Sequence, residues 1–92
     1  MDSQLVKQIS AYFATQPVQR AWLFGSYARG EQREDSDVDI CVDMEPSLYL
    51  MVRLKRFLEQ LLQCTVDIVR LHRHINPNLL EDIERDGIYV FR

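Results

Sequence analysis

GSYARGEQREDSDVD, residues 25–39 of a 92-residue chain, decides how the rest is read. It begins where the apolar run Ala21, Trp22, Leu23, Phe24 meets Gly-Ser, and it ends in two aspartates at the head of a second apolar run. A glycine at the end of a strand lets the backbone approach a ligand closely. The N–H groups of the following turn, with the Ser26 hydroxyl, offer donors to phosphate oxygens. On a strand, side chains at i and i+2 share a face, so Asp37 and Asp39 stand roughly 7 Å apart at the backbone. Carboxylates that close repel unless a cation lies between them. The stretch predicts phosphate at one end and metal at the other.

Charge supports this reading once it is placed along the chain. Residues 31–45 hold seven acids against one base, Arg33, a net of -6 within a formal total of -3, which leaves +3 for the other 77 residues. Part of such a block is ordinary solvated loop, but the two acids on a strand call for a bound cation. Bulk nucleic-acid binding is disfavoured, because affinity for phosphate backbones comes from clustered Lys and Arg. Ninety-two residues suffice for one small core, so a single domain over 1–92 is expected, with no room in it for a second, substrate-binding domain. No run of eighteen apolar residues and no basic-then-apolar N-terminus occurs, which predicts a cytoplasmic protein without a membrane span. Cys41 and Cys64 lie in apolar stretches and read as small core residues. They form no C-x-x-C pair that would suggest zinc.

Outward from the central stretch, Leu5, Val6, Ile9, Tyr12 and Phe13 recur at helical spacing, predicting a first helix capped by Asp2 or Ser3 and stopped near Pro17. Arg20–Phe24 reads as the first strand, Ser26 to about Glu31 as a turn and short helix, and Gln32–Ser36 as a polar loop. From Asp37 to Asp43 the pattern alternates: Val38, Ile40 and Val42 point one way, Asp37, Asp39, Cys41 and Asp43 the other. Ser47 is the expected cap of a long helix to about Gln63 with the stripe Met51, Leu54, Leu58, Leu61 and Leu62. Leu48, Tyr49, Leu50 and Phe57 fall outside the stripe, a surplus where a partner fits. Thr65–Leu71 reads as a third strand in which Asp67 is a costly residue unless something compensates it. His72 and His74 read as solvent-facing loop. Asn76-Pro77 opens a short helix ended by Gly87, with Glu81 and Arg85 spaced as a surface pair, and Ile88–Phe91 closes the chain as a strand.

Gly25-Ser26 at a strand end, Ala28-Arg29-Gly30 in the next turn, Ser36-Asp37-Val38-Asp39 beyond it and Asp67 on the strand after the long helix together resemble the signature of nucleotidyltransferases with the DNA polymerase β-like fold. In element order the chain looks most like the minimal nucleotidyltransferase branch, stand-alone domains that serve as antitoxins beside HEPN ribonuclease toxins. The resemblance implies an α+β, two-layer fold with a mixed sheet of about four strands and helices on one face. It implies Mg²⁺, in two ions, held by Asp37, Asp39 and Asp67, the last completing the second metal site or drawing the proton from the acceptor hydroxyl. It also implies ATP as substrate, gripped by Gly25 and Ser26, with Arg29 and Ser36 beside it. Arg29 equally suits an ion pair tying the motif helix to the acidic loop, and Ser36 an ordering role ahead of the Asp strand. Gly30 and Ala28 read as small residues for close packing, and Tyr27 as an exposed one.

The reaction so implied is adenylyl transfer from ATP to a tyrosine of the partner toxin, which switches the toxin off. Two rivals share the motif. One is a small-molecule nucleotidyltransferase of the aminoglycoside-modifying sort, and the other an antitoxin that neutralises its partner by binding alone. A P-loop NTPase is excluded by the absence of Gly-Lys-Ser/Thr.

Overall fold

A computed structural model of the chain describes residues 3–33 and 35–91. Asp2, one of the two expected caps of the first helix, lies outside the described residues. Eight elements follow one another: α1 (Ser3–Phe13), β1 (Val18–Phe24), α2 (Gly25–Arg29), β2 (Val38–Met44), α3 (Leu48–Leu62), β3 (Val66–Arg70), α4 (Pro77–Asp86) and β4 (Ile88–Phe91). The four strands form one sheet in the order β3-β2-β1-β4. β1 runs antiparallel to β2 and β4, while β2 and β3 are parallel and joined through α3. This is the expected mixed four-stranded α+β fold.

Helix ends follow the local chemistry of the sequence. The Ser47 hydroxyl accepts from Leu50 N at 3.1 Å and caps α3, and Gln63 in the left-handed region (φ 57°) closes its other end. Asn76 accepts from Asn78 N at 2.8 Å ahead of Pro77 in the first turn of α4. Arg85 pairs with Asp82 at 2.9 Å and Asp86 at 3.0 Å rather than with Glu81, since i−3 and i+1 carboxylates already occupy its fork.

α1 and α3 cover one face of the sheet. Ile9 and Phe13 of the first helix and Leu50, Leu54 and Leu58 of the second pack on Leu23, Val38, Ile40, Val42 and Val66. Leu50, assigned outside the apolar stripe, is buried within it, so the stripe runs Leu50, Leu54, Leu58, with Met51, Leu61 and Leu62 at its margin. Phe57 stacks on Tyr12 at 3.7 Å between ring centroids instead of standing free.

The second face is not bare. Phe24 and Cys41 are buried beneath Ile75 and Ile83, with Trp22, Val69, Leu79 and Leu80 around them, so α4 covers part of the face that carries the carboxylates. Cys41 is the small core residue expected of it, although the alternation sets it between Asp39 and Asp43. Asp43 is matched across the strands by Arg20, with N···O separations of 2.6 and 3.0 Å, which leaves only the Asp39 end of the face open. Tyr27 and Ala28 of α2 are half-buried against the first core, so Tyr27 is not the exposed residue its motif position suggests.

Candidate active site

The end of β1 and the starts of β2 and β3 lie side by side. Phe24 is the cross-strand partner of Asp39, and Asp39 is the in-register neighbour of Asp67 on the parallel strand. Residues paired in register share a face, so Asp39 and Asp67 project together on the side where Gly25 leaves the sheet. Gly25 has φ +74°, and a Cβ at this position would collide with the Asp39 carboxylate. The space a side chain would take is filled by the acid, and the backbone needs a conformation that glycine adopts without strain.

Electrostatics mark Asp39 as the centre. Burial pushes its carboxyl above the ordinary aspartate range, and the charges of Asp67 and Asp37 push it further, against a smaller opposing pull from Arg29. Asp37 stands exposed one residue before β2. It borders a neighbouring recess with Ser36, Cys64 and Thr65, rather than the cleft that holds Asp39 and Asp67. Asp67 is exposed, so the burial penalty that drew attention to it is not what it bears; its distinction is the position beside Asp39.

The remaining motif residues lie on α2 and on the loop that leads from it to β2. Ser26 is half-buried, and its carbonyl accepts from Glu31 N at 2.9 Å while no bond to its hydroxyl is present among the described residues. Gly30 caps α2 in the left-handed region (φ 72°) with open space where a Cβ would stand. Its role is conformational, not the close packing expected of it. Arg29 forms the ion pair with the acidic loop, Nε to Glu31 at 3.0 Å, and also lies 3.6 Å from Asp86 of α4. Ser36 accepts from Arg33 N at 2.7 Å and closes the turn ahead of β2.

Among the described residues, no three acids, histidines or cysteines are gathered tightly enough to hold a metal as a set. The donors nevertheless suit a hard divalent cation. Mg²⁺ retains waters and takes phosphate oxygens alongside one or two carboxylates, and the raised proton affinity of Asp39 comes first from burial and then from the charges of Asp67 and Asp37, which a cation would offset. His72 and His74 are exposed in the loop after β3, and Trp22 sits beyond the cleft, 5.2 Å from the Tyr89 ring.

The sequence alone did not mark the walls of the cleft. A depression of about 450 Å³ is lined by Asp39 and Asp67 together with Phe24, Met51, Val52 and Lys55. Lys55 Nζ donates to Val66 O at 2.7 Å, and Glu59 accepts from Val66 N at 3.1 Å, so α3 grips the residue just before Asp67 at both its polar groups. A lysine and a glutamate one turn apart on the margin of an apolar stripe read as an ordinary surface pair until β3 is placed beneath them.

A family model described as polymerase beta, nucleotidyltransferase matches residues 7–92. The protein adenylyltransferase MntA of Thermococcus cleftensis is 43% identical over 75 residues, covering 79% of this chain and 75% of that protein. A solved candidate minimal nucleotidyltransferase is 41% identical with a TM-score of 0.76, over 90% of this chain and 86% of its own. A toxin-antitoxin crystal structure with AMP-PNP superposes with a TM-score of 0.75 at 25% identity, over 98% of this chain and 73% of its own. With its Gly-Ser bend, its paired aspartates and a match over nearly its whole length, the chain belongs to the polymerase beta nucleotidyltransferase family.

Proposed function

We propose that this chain transfers the adenylyl group of ATP to a tyrosine hydroxyl of a HEPN-family ribonuclease toxin in the cytoplasm, neutralising the toxin. The observation that carries the proposal is the in-register pairing of Asp39 with Asp67 against the bend at Gly25. A relative bearing the name protein adenylyltransferase and a similar toxin-antitoxin structure with AMP-PNP support the choice of donor and acceptor.

In the transfer, a bond forms between the acceptor oxygen and the α-phosphorus, the bond from that phosphorus to the bridging oxygen breaks, and diphosphate leaves. Such a reaction asks the protein for alignment and charge neutralisation more than for covalent help. Gly25 and Ser26 offer close backbone approach and a hydroxyl to the distal phosphates. Asp39, with Asp37 at the head of its strand, would hold Mg²⁺, which supplies charge neutralisation at the phosphates when bound. Asp67 lies on the side of Asp39 away from Gly25, as an in-line attack requires, and its exposed carboxylate can take the acceptor proton. Arg29 orders the motif helix against Glu31 and Asp86, and Ser36 fixes the approach to β2.

The test is label transfer from ATP to the toxin. Asp39→Asn should lower the rate about a thousandfold, the loss expected when several kcal/mol of charge stabilisation is removed, while the complex with the toxin survives. If the variant neutralises the toxin as well as the unaltered chain does, neutralisation is by binding alone. Label appearing on aminoglycosides instead would identify a small-molecule enzyme.

A further inference from the structure

β3 is an edge strand, and its outer side forms a wall of the cleft that ends at Asp39 and Asp67. Three consecutive residues, Asp67, Ile68 and Val69, line this cleft. Successive side chains of a strand point to opposite faces, so a depression bordered by three in a row lies along the backbone edge itself. The bonds Val38 N to Thr65 O and Leu71 N to Val42 O fix the parity of the ladder: odd-numbered residues of β3 bond β2, and Val66 and Ile68 turn their N–H and C=O outward. Glu59 and Lys55 take both groups of Val66. Among the described residues, no bond from outside the ladder reaches Ile68. On one side of this open edge stand Met51 and Val52 of α3, on the other Leu79 of α4. Leu48, one turn before Val52, continues the apolar rim; it is 80% exposed and Val52 44%.

We propose that the protein acceptor docks here by adding an extended segment to the edge of β3, bonding Ile68 through its main chain and presenting its hydroxyl beside Asp67. This rests on the adenylyl-transfer reading and specifies its acceptor. Alternation then sets the acceptor's side chains. The hydroxyl-bearing residue shares the Asp67 face, a residue two positions away lies against Val69 and Leu79, and the one between them meets Val52. Two features favour a protein segment over a nucleotide base: the exposed main-chain edge matches another backbone, and the apolar rim runs on past the cleft to Leu48. Arg56, exposed one turn after Val52 on the same helix, favours an acidic surface around that segment.

Val52→Asp and Leu48→Asp change exposed residues, with Ile88→Asp on β4, also exposed (47%), as control. Toxin binding is measured first without ATP, then label transfer at varied toxin and varied ATP. The expected result is at least a tenfold weaker association and a tenfold higher KM for toxin in the two α3 variants. In Leu48→Asp, which lies outside the cleft, kcat and KM for ATP should stay within twofold, and Ile88→Asp should behave as the unaltered chain does. Unchanged toxin affinity in both variants overturns the docking site. A raised KM for ATP instead assigns the cleft to the nucleotide, and loss of a self-associated state in Val52→Asp assigns it to a second copy of the chain. Toxin that binds without ever being labelled overturns the transfer reading, while the binding arm still decides the docking site.

Discussion

Asp39 stands in surroundings that oppose its own charge: burial, then Asp67, then Asp37 raise its proton affinity. A carboxyl whose folded pKa lies above its unfolded value gives the folded state the greater hold on the proton. Its destabilising contribution is therefore absent below the unfolded pKa, grows as pH rises through the folded pKa, and is complete at neutral pH. Without divalent cations, Asp39→Asn should melt higher than the unaltered chain at pH 7, and the gap should close towards pH 3. In a chain of this size each kcal/mol relieved appears as about 4–8 °C. Asp43→Asn, on the same strand face but opposite Arg20, should lose rather than gain, by no more than about 1 kcal/mol for an exposed pair. Thermal scans across pH check both, and a gap for Asp39→Asn that persists at pH 3 would refute the electrostatic account. The meeting of Asp39 and Asp67 at one place was implied only by the resemblance, while the strand parity of each was legible in the alternation of residues. Tyr27 was not, since half-burial against Cys64 and the core depends on where a five-residue helix lands.

Among the elements, β3 is an edge strand of five residues, paired on one side only. α3 compensates at Val66, where the Glu59 carboxylate and the Lys55 ammonium, 3.7 Å from one another, take the outward N–H and C=O. Glu59→Ala leaves the Val66 N–H without its acceptor and removes the carboxylate beside Lys55, which keeps its bond to Val66 O. The expected loss is about 1 kcal/mol, the usual net worth of one hydrogen bond. Amide exchange at Val66 should accelerate, and label transfer should slow because Asp67 is the next residue. Exchange at Val66 no faster than in the unaltered chain would show that the grip does not matter. Element order and most boundaries could be read to within two residues, because caps such as Ser47 and Asn76-Pro77 are local chemistry. The rotation of α3 was read less well: Leu50 fits the buried stripe only once the sheet beneath fixes which side of the helix faces it.

For the whole molecule, the decisive feature is that α4 covers only part of the second sheet face. Ile75, Leu79, Leu80 and Ile83 bury Cys41 and Phe24, and the acidic end beyond them stays open. The sequence marked the short helix that carries Leu79, Leu80 and Ile83 but not the surface they pack on, since packing partners distant in the chain leave no local period. An open acidic end carries unrelieved repulsion in the free protein, and a nucleotide with its cation should offset it. A ligand that binds only the folded state stabilises it by about 2.7 kcal/mol at a hundred times its Kd. At about 4–8 °C per kcal/mol, Mg²⁺ with a non-hydrolysable ATP analogue should raise the Tm by about 10–20 °C. The analogue without Mg²⁺ should give a small part of that rise, because its phosphates then face Asp39 and Asp67 directly. Asp39→Asn should show little dependence on Mg²⁺, having lost a carboxylate that would hold the cation. An equal rise in the variant and the unaltered chain would mean that the nucleotide is held elsewhere, and that the paired strands do not form its site.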